Sequence, residues 1–285
     1  MPHPSAPETQ PGFVSLVGAG PGSPDLITLR GLRALEAADV ILFDALLEPD
    51  FRAFFPEKAL AIPAGKRCGG LGMTQERIHE LLLWHAQAGR RVVRLKGGDP
   101  FIFGRGGEEA RALAEAGIPF EVIPGVSALQ GAAAASGIPL THRGVSREIR
   151  ILEGHHLLES TTDWAELAHT EATLAIFMGT RSLQAVAQRL LEHGASPDLP
   201  VALVERAFCE GQSTTLSNLR LAAEGHVRAH TKGPGLVYLG AAIRHRALSL
   251  PADAFHTETH DPAAALSRSQ GEAGASRGGR ERRAG

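Results

Sequence analysis

Residues 97–109 read GGDPFIFGRGGEE and follow the stretch RRVVRLK. Glycines there strip side chains from the backbone, so that a ligand can touch the main chain directly. Asp99 stands among them, able to bind a hydroxyl pair or an ammonium group. Glu108 and Glu109 fall in the first turn of the helix that must follow, where carboxylates suit the helix dipole. Arg105 does not suit that position unless an anion lies close by. A second loop, GAGPGSPD at residues 18–25, invites comparison with the dinucleotide fingerprint GxGxxG. The match fails in two places. Ser23 occupies the third glycine position, and Pro21 lacks the N–H that a pyrophosphate needs. Asp44 lies roughly where a ribose-binding acid is expected, about 20 residues on. A nicotinamide-dependent oxidoreductase is therefore the rival reading from another class.

Positioning such loops requires strands that end in them and helices that start from them. From residue 13 the chain supplies both. FVSLVG, DVILFDAL, RRVVRLKG and PFEVIPG read as strands, while LITLRGLRALEAA, TQERIHELLLWHAQAG, GEEARALAEAG and SALQGAAAASG read as helices. This alternation predicts a largely parallel sheet covered by helices, with both glycine loops on the ligand-binding edge. After IPLTHRGVSREIRILEGHH the rhythm changes. LAIFMG, PVALVERAF and GLVYLGAAI read as strands, with SLQAVAQRLLEHG and LSNLRLAAEGH as helices between them. The expected organisation is α/β, with an N-terminal domain over 12–144, a second α/β domain over 145–249, and a disordered tail over 250–285. The tail is polar, rich in Gly and Ser, and lacks apolar periodicity.

Composition narrows the function. The net charge of −2 marks no general nucleic-acid binder, so an anionic ligand must be held by local Arg and Lys. Two cysteines, Cys68 and Cys209, are too far apart in sequence for a CxxC pair, and no metal site is expected. No signal-peptide pattern and no long apolar run is present, which predicts a cytoplasmic protein without a membrane partner.

Taken in order, VGAGPGSPDLITLRGL, LFDAL, GKR, RLKGGDPFIFGRGGEE, IPGVSALQGAAAASGIPLTHR, FMG and VER resemble the uroporphyrinogen-III C-methyltransferases of the tetrapyrrole methylase family. The resemblance covers about Phe13 to Arg244. It implies two unlike α/β domains with an active-site cleft between them, and a homodimer. It also implies two methyl transfers from S-adenosylmethionine to uroporphyrinogen III, giving precorrin-2; another precorrin methyltransferase is the alternative within the fold. By similarity the cofactor lies along Pro21, Gly97, Gly98, Asp99, Ile102, Ser127, Ala128, Met178 and Ala207. Ser127 is also expected to cap a helix. Asp44 matches a proton acceptor and Lys66 a proton donor, with Arg105 and Glu108 a second candidate pair. Arg105, Arg143 and Arg67 are the candidates for binding the substrate's carboxylates, which suit the planar Arg fork. The family pattern YDRL is FDAL here, so Ala45 replaces one possible carboxylate-binding Arg. Bifunctional siroheme synthases fuse such a module to a dehydrogenase and ferrochelatase half, for which 285 residues leave no room.

Overall fold

The structure is a computed structural model that describes residues 12–45, 47–65, 72–159, 161–231 and 233–247. Lys66, Arg67, Cys68 and the expected tail lie outside the described residues. The described residues all fall within one compact unit.

Its first lobe is a five-stranded sheet in the order β3-β2-β4-β1-β5, with every neighbouring pair parallel. The strands are β1 (Phe13–Gly18), β2 (Val40–Phe43), β3 (Leu60–Pro63), β4 (Arg91–Lys96) and β5 (Phe120–Ile123). Helices α1 (Leu29–Glu36), α2 (Gln75–Gln87) and α3 (Gly106–Glu115) make the crossovers. Thr28 and Thr74 cap α1 and α2 by accepting from Gly31 N and Arg77 N. Burial on both faces explains the nearly continuous apolar strands. Val14, Leu16, Val40, Leu42 and Val92 meet α2 and α3, while Val17, Ile41, Val93 and Leu95 meet α1.

The second lobe is mixed. β6 (Ile149–Glu153), β7 (Thr173–Phe177), β8 (Pro200–Glu205), β9 (Ser213–Asn218) and β10 (Gly235–Leu239) run in the order β6-β7-β10-β8-β9. Only β6–β7 is parallel. Helices α5 (Trp164–His169), α6 (Leu183–Glu192) and α7 (Leu219–Ala223) cover one face. The other face is covered by α4 (Ala128–Ser136), through Leu129, Ala132 and Ala133 against Ala175, Ala202 and Tyr238. The Tyr238 hydroxyl donates to Leu129 O at 2.6 Å. Thus α4 falls within the expected first domain by sequence but packs beneath the second sheet.

Several elements differ from the sequence expectation. The edge strands β3, β6 and β9 and the short α5 were not foreseen. The helix expected from Leu216 begins at Leu219, because Ser213–Asn218 instead pairs with β8. No helix among the described residues is long and apolar enough to cross a membrane.

Candidate active site

The carboxyl ends of β1, β4 and β5 converge with almost no side chains between them. Gly20 and Gly98 form a two-hydrogen-bond bridge of 2.8 and 3.2 Å. Gly98 has φ 69°, and a Cβ built there would point into open space, with only Ala128 N within 4 Å, at 3.6 Å. The turn thus excludes side chains from a surface that borders the start of α4. Ser127 caps that helix in a capping box with Gln130: its Oγ accepts from Leu129 N and its own N–H donates to Gln130 Oε1. Asp99 ties the loops together, accepting from Phe101 N at 2.8 Å and Gly125 N at 3.1 Å. Pro21 is buried and packs against α4 at Gly131.

Beside this corner lies a cavity of about 480 Å³, lined by Asp44, Glu76, Arg94, Lys96, Phe103 and Arg105 among others. Its floor follows from strand register. Val92, Arg94 and Lys96 alternate onto one face of β4, and Leu42 pairs with Arg94, so Asp44 continues the same face just beyond β2. Arg94 Nη2 donates to Asp44 Oδ1 at 2.5 Å, and Gly97 N donates to Asp44 Oδ2 at 3.3 Å. Glu109 Oε1 accepts from Arg94 Nε at 3.0 Å, Lys96 Nζ at 3.0 Å and Gln75 Nε2 at 3.1 Å. Glu109 Oε2 is buried without a hydrogen-bond partner among the described residues. Burial, with the neighbouring Arg94 charge, pushes the Lys96 pKa down, while Glu109 and Asp44 oppose the fall. For Arg94 burial is outweighed by Asp44 and Glu109, and its pKa rises.

Arg105 is the non-helical residue before α3, at φ 59°. Its guanidinium meets Glu108 in a two-bond fork of 2.8 and 2.7 Å. The anion that its position demands is therefore supplied by its own helix. That bond, more than the Glu108 charge itself, raises the Arg105 pKa and lowers that of Glu108.

The second lobe closes over these loops. Phe103 packs on Phe177 with ring centroids 5.0 Å apart. A Cβ on Gly22 would lie 2.5 Å from Ala207 O and 2.8 Å from Cys209 Sγ, so only glycine lets the β1 loop meet the loop after β8. Arg206 reaches Glu48 at 3.5 Å across the same junction. Burial, aided by Glu48, pushes the Cys209 thiol up to about 12. Among the described residues, non-glycine positive φ occurs at Phe103, Arg105, Met178, Arg206 and Phe208. All five lie in loops that follow β4, β7 and β8, a concentration of backbone strain typical of functional loops.

The structure thus brings Pro21, Gly97, Gly98, Asp99, Ser127 and Ala128 to one corner, with Ile102 in the adjoining turn. Met178 and Ala207 sit in the second-lobe loops, and Asp44 and Arg105 line the cavity. Glu108 pairs with Arg105. Arg143 is exposed in the α4–β6 connection, outside the cavity lining and without an ion pair among the described residues. Sequence reasoning missed Arg94 and Lys96 and took Glu109 for a first-turn carboxylate. The signal was available: two cations alternate inside an otherwise apolar parallel strand, where charges are seldom buried unpaired. Among the described residues no group of three or more His, Cys, Asp or Glu is placed to hold a metal.

A parallel-sheet lobe and a mixed-sheet lobe that meet at a glycine-lined corner beside a charged cavity define a two-lobed α/β protein with its candidate site at the junction. A model of the tetrapyrrole (corrin/porphyrin) methylases matches residues 14–222. A siroheme synthase of Halorhodospira halophila is 47% identical over 234 residues, which are 82% of this chain and 48% of that protein. A siroheme synthase of Edwardsiella ictaluri is 44% identical over 245 residues, 85% of this chain and 52% of its own length. The chain spans about half the length of these curated relatives. The solved uroporphyrin-III C-methyltransferase of Thermus thermophilus, complexed with S-adenosylhomocysteine, is 40% identical with a TM-score of 0.70. That match covers 82% of this chain and 100% of the other. A cobalt precorrin-4 methyltransferase is 26% identical with a TM-score of 0.71, over 81% of this chain and 95% of its own. The chain belongs to the tetrapyrrole methylase family.

Proposed function

We propose that the chain transfers methyl groups from S-adenosylmethionine to two pyrrole carbons of uroporphyrinogen III, giving precorrin-2. The observation that carries this is the side-chain-free surface at Gly98, adjoining α4, beside a cavity that holds Asp44 and Arg105. It occurs in a chain 40% identical to a uroporphyrin-III C-methyltransferase over that protein's whole length.

Pro21, Gly97, Gly98, Asp99, Ile102, Ser127, Ala128, Met178 and Ala207 are the residues we assign to the cofactor. The open space at Gly98 fits such a ligand, and Asp99 and Ser127 hold the loops that shape it. When bound, S-adenosylmethionine supplies an activated methyl on a sulfonium, whose S–C electron pair stays with sulfur. A new C–C bond forms at the pyrrole carbon, and one proton leaves the ring system for each methyl gained. The chain's main task is to align carbon and methyl, where proximity supplies ~7–11 kcal/mol. Asp44, fixed by Arg94 and Gly97, offers an oriented carboxylate to the positive charge that develops on the ring. Lys66 is assigned as its proton-donating counterpart. Arg105, Arg143 and Arg67 bind substrate carboxylates, and Glu108 holds Arg105 until a substrate carboxylate replaces it.

We further infer two domains divided near residue 144, a cytoplasmic location and a homodimer; light scattering that gives a monomer mass at working concentration argues against the dimer. Mass analysis of the tetrapyrrole product tests the activity, and two added methyl groups are expected. Methylation of a later precorrin with none of uroporphyrinogen III would instead favour another member of the family.

A further inference from the structure

Asp44 is not held by Arg94 alone. Arg94 is itself held by Glu109, and Glu109 by Lys96 and Gln75, so a single carboxylate oxygen anchors three donors behind the cavity wall. Arg94, Lys96 and Glu109 are each at most 3% exposed. Two carboxylates, Asp44 and Glu109, thereby face two cations, Arg94 and Lys96. Stability alone is a weak reason to bury Arg94, Lys96 and Glu109, since buried pairs seldom outperform apolar packing. Their order is informative. Glu109 is outside the cavity lining but bonds directly to Gln75, Arg94 and Lys96, which line it together with Asp44.

We propose that Glu109 is a positioning residue for methyl transfer, which acts through Arg94 to hold the Asp44 carboxylate while Lys96 balances its charge. The proposal rests on the methyltransferase function given above. Arg94 spends its remaining donor on backbone: Nη1 donates to Leu95 O at 3.2 Å and Leu42 O at 3.5 Å. The guanidinium is therefore fixed by four partners, two backbone carbonyls and the two carboxylates Asp44 and Glu109, and Glu109 supplies the charged contact on the side away from Asp44. Glu109→Gln keeps the shape but leaves two cations against Asp44 alone. Lys96→Met leaves two carboxylates against Arg94 alone. Both changes together restore a neutral Asp44–Arg94 pair.

Charge balance also makes the arrangement sensitive to alkali. Lys96 is faced by Arg94 on its own strand, Asp44 beyond β2, Glu109 on α3 and Gln75 on α2. Glu76 and Arg105 line the same cavity, and His79 Nε2 lies 3.1 Å from Gln75 Nε2. Glu109 is the contact that helps Lys96 keep its proton. Without it, Lys96 loses that proton at lower pH.

The test is a double-mutant cycle on the full chain, with kcat, KM, S-adenosylmethionine affinity and Tm measured on each variant with uroporphyrinogen III. Lys96 titration is followed in parallel by NMR of lysine-labelled protein. Each single substitution is expected to lower kcat by about tenfold or more, with little change in KM. The double variant should exceed the product of the two single effects, because its charges balance again. The alkaline limb of kcat should vanish in Lys96→Met, and in Glu109→Gln it should be replaced by a rise in kcat as Lys96 loses its proton, because the remaining Asp44–Arg94 pair is then neutral. Multiplicative losses, or a drop in Tm with kcat per folded molecule unchanged, would overturn the proposal. If Glu109→Gln does not fold, Lys96→Met and the double variant still decide it. Wild-type protein inert toward uroporphyrinogen III would refute the proposed function. In that event the NMR titration decides the coupling: an unchanged Lys96 titration in Glu109→Gln ends it, and a downward shift sustains it.

Discussion

Arg105→Gly should separate what Arg105 does for the fold from what it does for the site. Arg105 holds φ 59°, a left-handed conformation that costs a side-chain-bearing residue about 1–2 kcal/mol. Glycine relieves that cost but gives up about 0.5–1 kcal/mol in chain entropy. The pair with Glu108 is half exposed on both sides, so solvent screening limits its contribution to about 0–1 kcal/mol. These quantities nearly cancel. Folding free energy should change by less than about 1 kcal/mol and Tm by less than about 4 °C. Recognition has no such cancellation. Loss of a charged hydrogen bond to a substrate carboxylate costs about 1.5–3 kcal/mol, which is roughly a 10–150-fold rise in KM. Arg105→Lys should fall between, since it keeps the charge and loses the fork. Initial rates of methyl transfer, calorimetry with S-adenosylmethionine and thermal melts on the same preparations give all three quantities. A KM within about twofold of wild type would refute the role assigned to Arg105. A Tm lowered by more than about 8 °C with weakened cofactor binding would refute the cancellation and make Arg105 a structural residue.

Gly98→Val should abolish S-adenosylmethionine binding, because it forces a branched side chain into φ 69° and into the open surface of the corner; calorimetry showing normal affinity would leave Gly98 as a turn residue only. Glu205 is buried, which opposes its ionisation, yet bonds from His230 N, Thr231 N and Oγ1, and Ser213 Oγ bring its pKa below the usual glutamate value. Its contribution is complete above the unfolded value of about 4.3 and is lost as pH falls through the folded one. Urea melts of Glu205→Gln should accordingly lose less stability than wild type between about pH 4.5 and 3. Tyr238→Phe should cost about 1–2 kcal/mol in chemical denaturation by removing the donor to Leu129 O, with the S-adenosylmethionine affinity preserved.

The parallel lobe was legible because its inner strands β1, β2 and β4 are buried on both faces and its helices carry Thr caps and glycine stops. The edge strands were not. β3 reads LAIP and β9 reads STTLSN, short and partly polar, and their pairing with β2 and β8 is a decision of tertiary structure rather than local pattern. The same holds for α4, whose small residues reveal a tight fit but not which sheet it fits. In the site, the glycines and Ser127 were readable from turn and cap chemistry. The buried charges were signalled only by two cations alternating in an apolar strand, and their meeting with Glu109 was not readable, because it depends on strand register and a crossover helix. Arg105 was correctly seen to need an anion, and Glu108 supplies it from one turn away.

The placement of α4 sets an order of events during synthesis. Leu129 and the tyrosine that bonds it, Tyr238, are 109 residues apart. At roughly 5–20 residues per second, α4 leaves the ribosome about 5–20 s before β10 can cover it. Through that interval the first lobe ends in a helix whose partner sheet does not yet exist. Its composition suits the wait. ALQGAAAAS carries one large apolar side chain, Leu129, so the nascent helix presents little surface to a chaperone or to another unfinished chain.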